Sequence, residues 1–480
     1  MKLSSLLKGV DVIQKVNYAN VNIASLAIKD KDCEKGSLFF AVSGHTFDGV
    51  MFANNSVQKG AKCIVTSCVI DGIDAVQIVV SDVRVAMSVI ASNFYDNAHK
   101  YLDIIAVVGT NGKTTTSSIL YNLLKDSGKK VGLIGTLGVK INDINLPNDM
   151  TTPDPIELHY LFHQMLSFGV EVVVMEVSAH AIALQKMHGI KCKYGIFTNI
   201  SKEHLDFFGN LKNYADIKLG YFNSQNMEMA IVNVDDEYGK QLVLDKCLPL
   251  VTYGLSNPAD TFAIDIKMSI KSCSFIVNTF DEVFKVCSCF VGDYNVYNLM
   301  AVITTAKLFG IKSHQIVTSL KRMKCIEGRL EVFNFAKGNK VIVDFAHTSE
   351  GFNKVLALVK TLRPHGKIIT LFGCVGYSDK QKREDMGRIA SKYSDKVILT
   401  QDNPDFVRFE DICADIKITC DCIKIPDRVS AVKHGIEMLN ENDTLVCLGK
   451  GGEKKQKING VNFAYNELEV VKNLSKRQMK

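Results

Sequence analysis

Residues 104–125, IIAVVGTNGKTTTSSILYNLLK, constrain the fold of this chain more than any other stretch. Aliphatic residues lead into Gly109-Thr110-Asn111-Gly112-Lys113-Thr114-Thr115, and beyond them Ile119, Leu120, Leu123 and Leu124 recur on one helical face. A buried strand, a glycine turn and a helix start in that order make a phosphate cradle, because the N–H groups of the turn and of the first helical turn point at one anion. In such a loop Lys113 reaches the β- and γ-phosphates, and the Thr114 hydroxyl sits on Mg²⁺. The strict nucleotide loop has a glycine where this chain carries Val107. A glycine turn with no ligand is the bland alternative.

A length of 480 residues corresponds to about three domains. The 57 basic and 51 acidic side chains leave a formal charge of +6 without a block of like charge, which suits small anionic substrates better than nucleic acid. The 14 cysteines are dispersed. Their closest sets, Cys287 with Cys289 and Cys420 with Cys422, are C-x-C pairs in apolar segments, unlike the C-x-x-C pairs of zinc sites. With neither a signal-peptide pattern nor an apolar run long enough to cross a bilayer, the expectation is a cytoplasmic protein with reduced core thiols and no membrane insertion.

The hydrophobic pattern is α/β throughout and divides the chain at 1–98, 99–327 and 328–480. The first segment reads as a small α/β domain, with apolar runs at 37–44, 61–66 and 76–80. Its loop Gly44-His45-Thr46-Phe47-Asp48-Gly49 could hold a base or sugar, or be a plain glycine-bracketed turn. The central segment is a parallel-sheet domain built on the phosphate loop. Its run 170–178 carries Glu176 where the strand should emerge, and a second strand, 195–199, leads into Ser201-Lys202-Glu203-His204. Ligands of open α/β sheets sit beyond the carboxyl ends of the strands, so these tips should converge on Lys113. Glu176 with Thr114 makes a plausible Mg²⁺ pair, since hard divalent ions take oxygen ligands; a helix cap or surface acid is the alternative. Lys218, one helical turn after Tyr214, reads by itself as a solvated helix lysine. Asn295 and Asn298 fall near a helix start, where they cap or contact adenine or phosphate. Arg329 is either a clamp on a transferring phosphate or a surface arginine. The last segment reads as Rossmann-like and doubly wound, with strands near 341–345, 368–372, 397–399 and 444–448. Each leads to a polar cluster: Asp344 with His347; Gly373–Gly376; Asp402-Asn403-Pro404; and Gly449–Glu453.

Together these motifs resemble the Mur ligases, the ATP-dependent amide ligases of peptidoglycan precursor synthesis. Within that family the chain is most similar to the MurE type, which adds the third residue to UDP-N-acetylmuramoyl-L-alanyl-D-glutamate. The resemblance covers nearly the whole chain through GTNGKTT at 109–115, TTPDP at 151–155, MEVSAHA at 175–181, TNISKEHLDFFG at 198–209, the Tyr214 and Lys218 pair, GDYNVYN at 292–298, GRLE at 328–331, DFAHT at 344–348, DNP at 402–404 and GKGGE at 449–453. It implies a carbamylated Lys218 that holds a second Mg²⁺ beside His204 and Glu176. Thr151, Thr152, Ser178 and Lys186 would contact the muramoyl dipeptide, Lys186 replacing the usual arginine, and His45, Thr46 and Phe47 the uridine. Asn295, Asn298, Arg329, Asp344 and Lys113 would serve ATP. Arg383, Asp402, Asn403, Gly449 and Glu453 would hold the incoming amino acid. The implied enzyme is a monomer that makes an acyl phosphate from the D-glutamate carboxylate, with Lys113, Arg329 and two metals stabilising its charge, and closes its last domain to exclude water.

Departures from the family pattern include Lys29-Asp30-Lys31 in place of Asp-Ser-Arg, Gly452 in place of a histidine, and the serines Ser349 and Ser378. The most consequential is Asp405, since members that take meso-diaminopimelate have arginine directly after DNP. Aspartate there should repel a carboxylate and attract an ammonium. The expected third residue is therefore L-lysine, then L-ornithine; meso-diaminopimelate is the alternative, with Arg408 swinging into the arginine's place. Rival readings are another Mur-type or folylpolyglutamate ligase, and a nucleotide-binding regulatory protein that has lost catalysis.

Overall fold

An apolar run in which every residue is buried needs cover on both of its faces. The strand Asp103–Val108 meets that need: Ile104, Ala106 and Val108 pack into one core, while Ile105 and Val107 pack into a second beneath the helix Lys113–Asp126. Val107 is thus a strand residue with a packing task, and the turn begins only at Gly109. This computed structural model describes residues 1–44, 48–148, 150–245, 247–363, 365–377 and 380–478. His45, Thr46, Phe47 and Ser378 lie outside the described residues.

Asp103–Val108 lies inside an 11-stranded sheet. Its parallel neighbours are Val172–Val177 on one side and Cys192–Phe197 on the other. The parallel run continues through Val131–Gly135 in one direction, and through Met227–Asn233 and Leu250–Gly254 in the other. Thr261–Met268 extends that run in parallel, and antiparallel strands then close both edges: Gly138–Ile141 with Ile144–Leu146, and Cys273–Asn278 with Val283–Ser288. Two neighbouring strand tips therefore flank the glycine turn, in the position where open parallel sheets bind ligands.

The N-terminal residues form a five-stranded sheet ordered Val12–Val16, Val76–Val80, Cys63–Thr66, Ser37–Phe40, Ser25–Ala27, of which only the first pair is antiparallel. The C-terminal residues form a six-stranded sheet ordered Glu331–Asn334, Lys340–Asp344, Thr444–Leu448, Ile368–Phe372, Lys396–Leu399, Asp421–Lys424, again with one antiparallel edge pair. A hairpin, Lys455–Ile458 with Val461–Ala464, follows. The edge strands and this hairpin are partly exposed, so they lack the unbroken apolar runs that mark the central strands. Among the described residues, no helix is long and apolar enough to cross a membrane. The cysteines are all free, but Cys68, Cys247 and Cys325 are exposed, so the expectation of core thiols fits only part of the set.

The first sheet docks on the second mainly through the helix Val83–Phe94, which packs on Pro155–Ser167. Beneath this contact His99 and His159, 5 % and 1 % exposed, meet edge to face with ring centroids 5.2 Å apart. Burial pushes both imidazoles down, His99 to about 4 and His159 to about 3, each with the neighbouring positive charge adding to the effect. The unfolded chain takes up these protons near the ordinary value of 6.5 and the folded chain does not. Stability is therefore intact above about pH 6.5 and falls as the pH drops towards 4, by about 2 kcal/mol per histidine at pH 5. The variant His159→Leu, which also removes an Nε2 without a hydrogen-bond partner, should lose less thermal stability than the parent between pH 7 and pH 5 in parallel melts; equal losses would contradict this account.

Candidate active site

The glycine turn is held from the side by the tip of Cys192–Phe197. Asn199 O accepts from Thr110 N (2.8 Å), Asn199 Oδ1 accepts from Asn111 N (2.9 Å), and Asn111 O accepts from Thr198 Oγ1 (2.8 Å). The approach is close enough that a Cβ on Gly109 would stand 1.9 Å from Thr198 Oγ1. Gly112 has φ +89°, and a Cβ there would stand 2.4 Å from Asn298 Oδ1. Asn298 in turn accepts from Thr116 Oγ1 (3.2 Å) and donates to Asn295 Oδ1 (3.1 Å), which ties the helix Asp293–Leu308 to the loop. Both asparagines are buried. Lys113 Nζ donates to Gly109 O and Thr110 O, each at 2.8 Å.

The other flanking strand delivers Glu176, which is 1 % exposed. Its carboxylate accepts from Thr114 Oγ1 (2.9 Å), Thr136 N (2.9 Å) and Thr136 Oγ1 (3.1 Å). Thr114 with Glu176 is an oxygen set suited to Mg²⁺, an ion that keeps waters and phosphate oxygens as its remaining ligands. Among the described residues no three His, Cys, Asp or Glu side chains converge as a metal cluster, so the protein can supply only part of such a coordination sphere.

Lys218 is no solvated lysine. It is 1 % exposed and lies behind the turn, donating to Thr110 Oγ1 (3.2 Å) and to Tyr214 Oη, with Nζ 4.0 Å from the Tyr214 ring centroid. Burial, and after it the charge of Lys113, hold its pKa well below the ordinary lysine value, which favours a neutral amine. His204 adopts φ 54° and stacks edge to face on His180 at 4.7 Å. Burial pushes its pKa down to about 4 against the pull of Glu203.

Lys113, Thr114, Glu176 and His204 line one cavity of about 540 Å³. Lys218 does not; it contacts the cavity wall through Thr110. The same cavity is lined from the six-stranded sheet by Arg329, Asp344, His347 and Glu350. Arg329 lies over the Phe345 ring at 4.2 Å, and Asp344 accepts from Leu330 N and Ala346 N, both at 2.7 Å. Two bonds join the sheets across the cavity: His347 Nε2 with Glu203 Oε1 (3.0 Å), and Asn111 Nδ2 to Glu350 Oε2 (3.2 Å). Burial disfavours the Glu203 carboxylate, yet the bond to His347 and the charges of His347, His204 and Lys113 outweigh it and hold the carboxyl far below its usual range. Sequence reasoning gave Glu203 and Asp235 no part. Asp235, just beyond Met227–Asn233, accepts from Leu255 N, Ser256 N, Asn257 N and Tyr297 Oη on the cavity's far wall. The strand-tip argument that found Glu176 would have found Asp235 had it been applied to Met227–Asn233.

Thr151, Thr152, Ser178 and Lys186 gather at the tip of Val172–Val177. Thr152 Oγ1 donates to Glu176 O (3.0 Å) and accepts from Ser178 N (3.1 Å), and Thr151 Oγ1 lies 3.1 Å from Thr136 Oγ1. Lys186 donates to Thr152 O (3.2 Å) and pairs with Asp154 at 2.8 Å. A separate cluster forms at the tips of the six-stranded sheet around Lys450, which is fully buried. Its ammonium reaches Asn403 Oδ1 (2.7 Å), Glu453 Oε2 (2.8 Å) and Asp402 Oδ1 (3.4 Å). A Cβ on Gly449 would stand 2.7 Å from Asp402 Oδ2. Arg383 lies apart from that ammonium, paired with Asp415 at 2.6 Å and donating to Val375 O and Gly376 O.

Asp405 corrects the argument for lysine. Its carboxylate already accepts from Lys457 Nζ and Gly460 N, each at 2.8 Å, and the side chain is 10 % exposed. The Lys457 ammonium holds its pKa down, so Asp405 is a neutralised pair rather than a free acceptor for an incoming ammonium. Arg408 makes two bonds to Asp411, at 2.9 and 2.8 Å, on the surface.

Fold and cavity together define a phosphate-loop ligase in which two sheets share one reaction chamber. Residues 107–306 match the Mur ligase middle domain, 328–451 the Mur ligase, glutamate ligase domain, and 22–95 the Mur ligase family, catalytic domain. The chain belongs to the Mur ligase family, and the ATP-dependent ligase class inferred from its motifs stands. It is 35% identical over 479 residues to a Clostridium acetobutylicum protein named UDP-N-acetylmuramoyl-L-alanyl-D-glutamate--2,6-diaminopimelate ligase 1, covering 98% of each chain. A protein of the same ligase name from Bacteroides thetaiotaomicron is 34% identical, over 99% of this chain and 100% of its own. A solved structure titled UDP-N-acetylmuramoyl-L-alanyl-D-glutamate--2,6-diaminopimelate ligase superposes with TM-score 0.68 at 27% identity, covering 95% of this chain and 96% of its own. These names favour diaminopimelate over the lysine expected from Asp405.

The substitution Gly112→Ala forces a left-handed residue and a clash with Asn298. It should cost about 1–3 kcal/mol in stability and abolish nucleotide binding, as read by thermal melts and titration with a fluorescent ATP analogue; full binding would show that the turn is not the cradle.

Proposed function

We propose that this protein joins 2,6-diaminopimelate to the D-glutamate carboxylate of UDP-N-acetylmuramoyl-L-alanyl-D-glutamate at the expense of ATP. The observation that carries this reading is the single cavity in which the phosphate loop and Glu176 of one sheet face Arg329, Asp344 and His347 of the other. The full-length relatives named for this reaction support the choice of substrates.

In this reading the N–H groups of Gly109–Thr115 and the Lys113 ammonium hold the ATP phosphates, and Arg329 meets the charge that develops as the γ-phosphoryl group passes to the carboxylate. Thr114 and Glu176 would hold Mg²⁺, which when bound neutralises phosphate charge. Asn295 and Asn298 keep the far side of the loop in register for the nucleotide. The amine of the incoming residue must arrive as a free base to displace phosphate from the acyl phosphate. The Glu203 to His347 and Asn111 to Glu350 bonds keep the two sheets together while water is excluded. Thr151, Thr152, Ser178 and Lys186 form the dipeptide side, and the Lys450 cluster, with Arg383 beyond it, the amino-acid side.

Carbamylation of Lys218 fits the chemistry of its surroundings, because burial lowers its pKa and so favours the neutral amine, the form that adds carbon dioxide. The carbamate would then give this wall an anion able to help hold a second Mg²⁺ with His204.

The test supplies purified protein with the UDP-muramoyl dipeptide and ATP, plus meso-diaminopimelate, L-lysine or L-ornithine, and follows ADP and tripeptide. Diaminopimelate should be the efficient acceptor, and Lys113→Ala and Lys218→Ala should each lower turnover by at least about a hundredfold. Efficient use of lysine with none of diaminopimelate would overturn the acceptor, and ADP release indifferent to the dipeptide would overturn the ligase reading.

A further inference from the structure

Two cysteines with no part in the proposed reaction stand together where the chain passes from the 11-stranded sheet to the six-stranded one. Cys289 follows the edge strand Val283–Ser288, and Cys325 lies in the connection between the helix Ser313–Arg322 and the strand Glu331–Asn334. Each thiol donates to the other segment: Cys289 Sγ to Met323 O at 3.3 Å, and Cys325 Sγ to Cys289 O at 3.6 Å. These two bonds bring the thiols of the two segments side by side. Cys325 is exposed and Cys289 half-buried, so Cys325 is the thiol that an outside reagent meets first, and the neighbouring Cys289 thiol also pulls its pKa down. Cys325 is exposed and lines an open cavity of about 900 Å³ that also presents Lys140, Arg322, Lys324 and Lys454, with Asp126 and Glu327 as its acids. The basic excess favours an anionic reagent at that thiol.

We propose that Cys289 and Cys325 are a redox-active dithiol, which an anionic small-molecule disulfide converts to an intramolecular disulfide that slows turnover. The Cys325 thiolate attacks one sulfur of the reagent, forming a mixed disulfide and releasing one reagent thiolate. Cys289 then gives up its proton and attacks Cys325 Sγ, releasing the second reagent thiol. The two protein thiols lose two electrons and two protons, and the reagent disulfide is reduced to two thiols. The new bond encloses the helices Asp293–Leu308 and Ser313–Arg322 and staples the connection between the sheets to the middle one. Arg329 follows Cys325 in the same connection, so the bond restrains the segment from which the six-stranded sheet hangs over the reaction cavity. The effect on turnover rests on the ligase reading; the formation of the disulfide does not.

The full-length protein is reduced, freed of reductant and incubated with glutathione disulfide, with reduced glutathione as control. Thiols titrated in denaturant should number two fewer than the 14 of the reduced chain, and a peptide map should contain the Cys289 to Cys325 cross-link. Dipeptide-dependent ADP release should fall about fivefold and return with dithiothreitol, as expected when a hinge is held. Cys289→Ser should stop at a glutathione adduct on Cys325, and Cys325→Ser should form neither adduct nor cross-link there; both should keep the activity of the reduced parent. Absence of the cross-link, or a cross-link that leaves ADP release unchanged, overturns the proposal. A reduced parent inert towards the dipeptide would strike down the ligase reading instead, while the peptide map still reports on the dithiol.

Discussion

The buried carboxylate of Glu176 is the point on which the site depends. Removing such a charge from water costs several kcal/mol unless hydrogen bonds or a cation compensate. Here Thr114 and Thr136 provide the bonds, and each serves a second purpose. Thr114 opens the helix after the phosphate loop, so its bond to Glu176 sets the position of that helix over the sheet. Thr136 also touches Thr151, so the same carboxylate orders the segment assigned to the dipeptide. The parallel register, with Glu176 opposite Val107 and Val177 opposite Val108, brings the acid out of the sheet level with the turn.

Opposite Glu176 the chamber is closed by the six-stranded sheet, and the contacts there are polar. Glu203 and His347, and Asn111 and Glu350, come from residues far apart in the chain, and they meet because two strand tips face each other across the cavity. Away from the chamber the same two segments share apolar packing, Val291 and Tyr294 joining one core with Phe352 and Leu356, so the polar bonds are the part of the contact that faces the cavity.

Much of this was legible beforehand. The unbroken apolar run of the strand 104–108, the glycine turn and the helical spacing of Ile119 to Leu124 are local patterns, and local patterns report which residues face a core. Glu176 and His204 were found by the same logic, as polar groups placed where an apolar strand ends. The antiparallel edge strands were not, because half-exposed strands such as Cys273–Asn278 and Val283–Ser288 carry no unbroken apolar run. Asp235 carries the same strand-tip signal as Glu176; what no local pattern records is its role, accepting bonds from the turn at Leu255, Ser256 and Asn257.

The sequence by itself determined the α/β plan, the phosphate loop and the strand tips that carry the chemistry, since each of these follows from spacing within a few residues. Tertiary structure decided the state of each charge. Lys218 reads as a solvated lysine until folding buries it against Tyr214 and Thr110. Asp405 reads as a free anion until Lys457, on a hairpin strand well beyond it in the chain, neutralises it. The reason is physical: a side chain's protonation and availability depend on every charge and every bit of solvent around it, and folding draws those surroundings from parts of the chain that sequence proximity does not link.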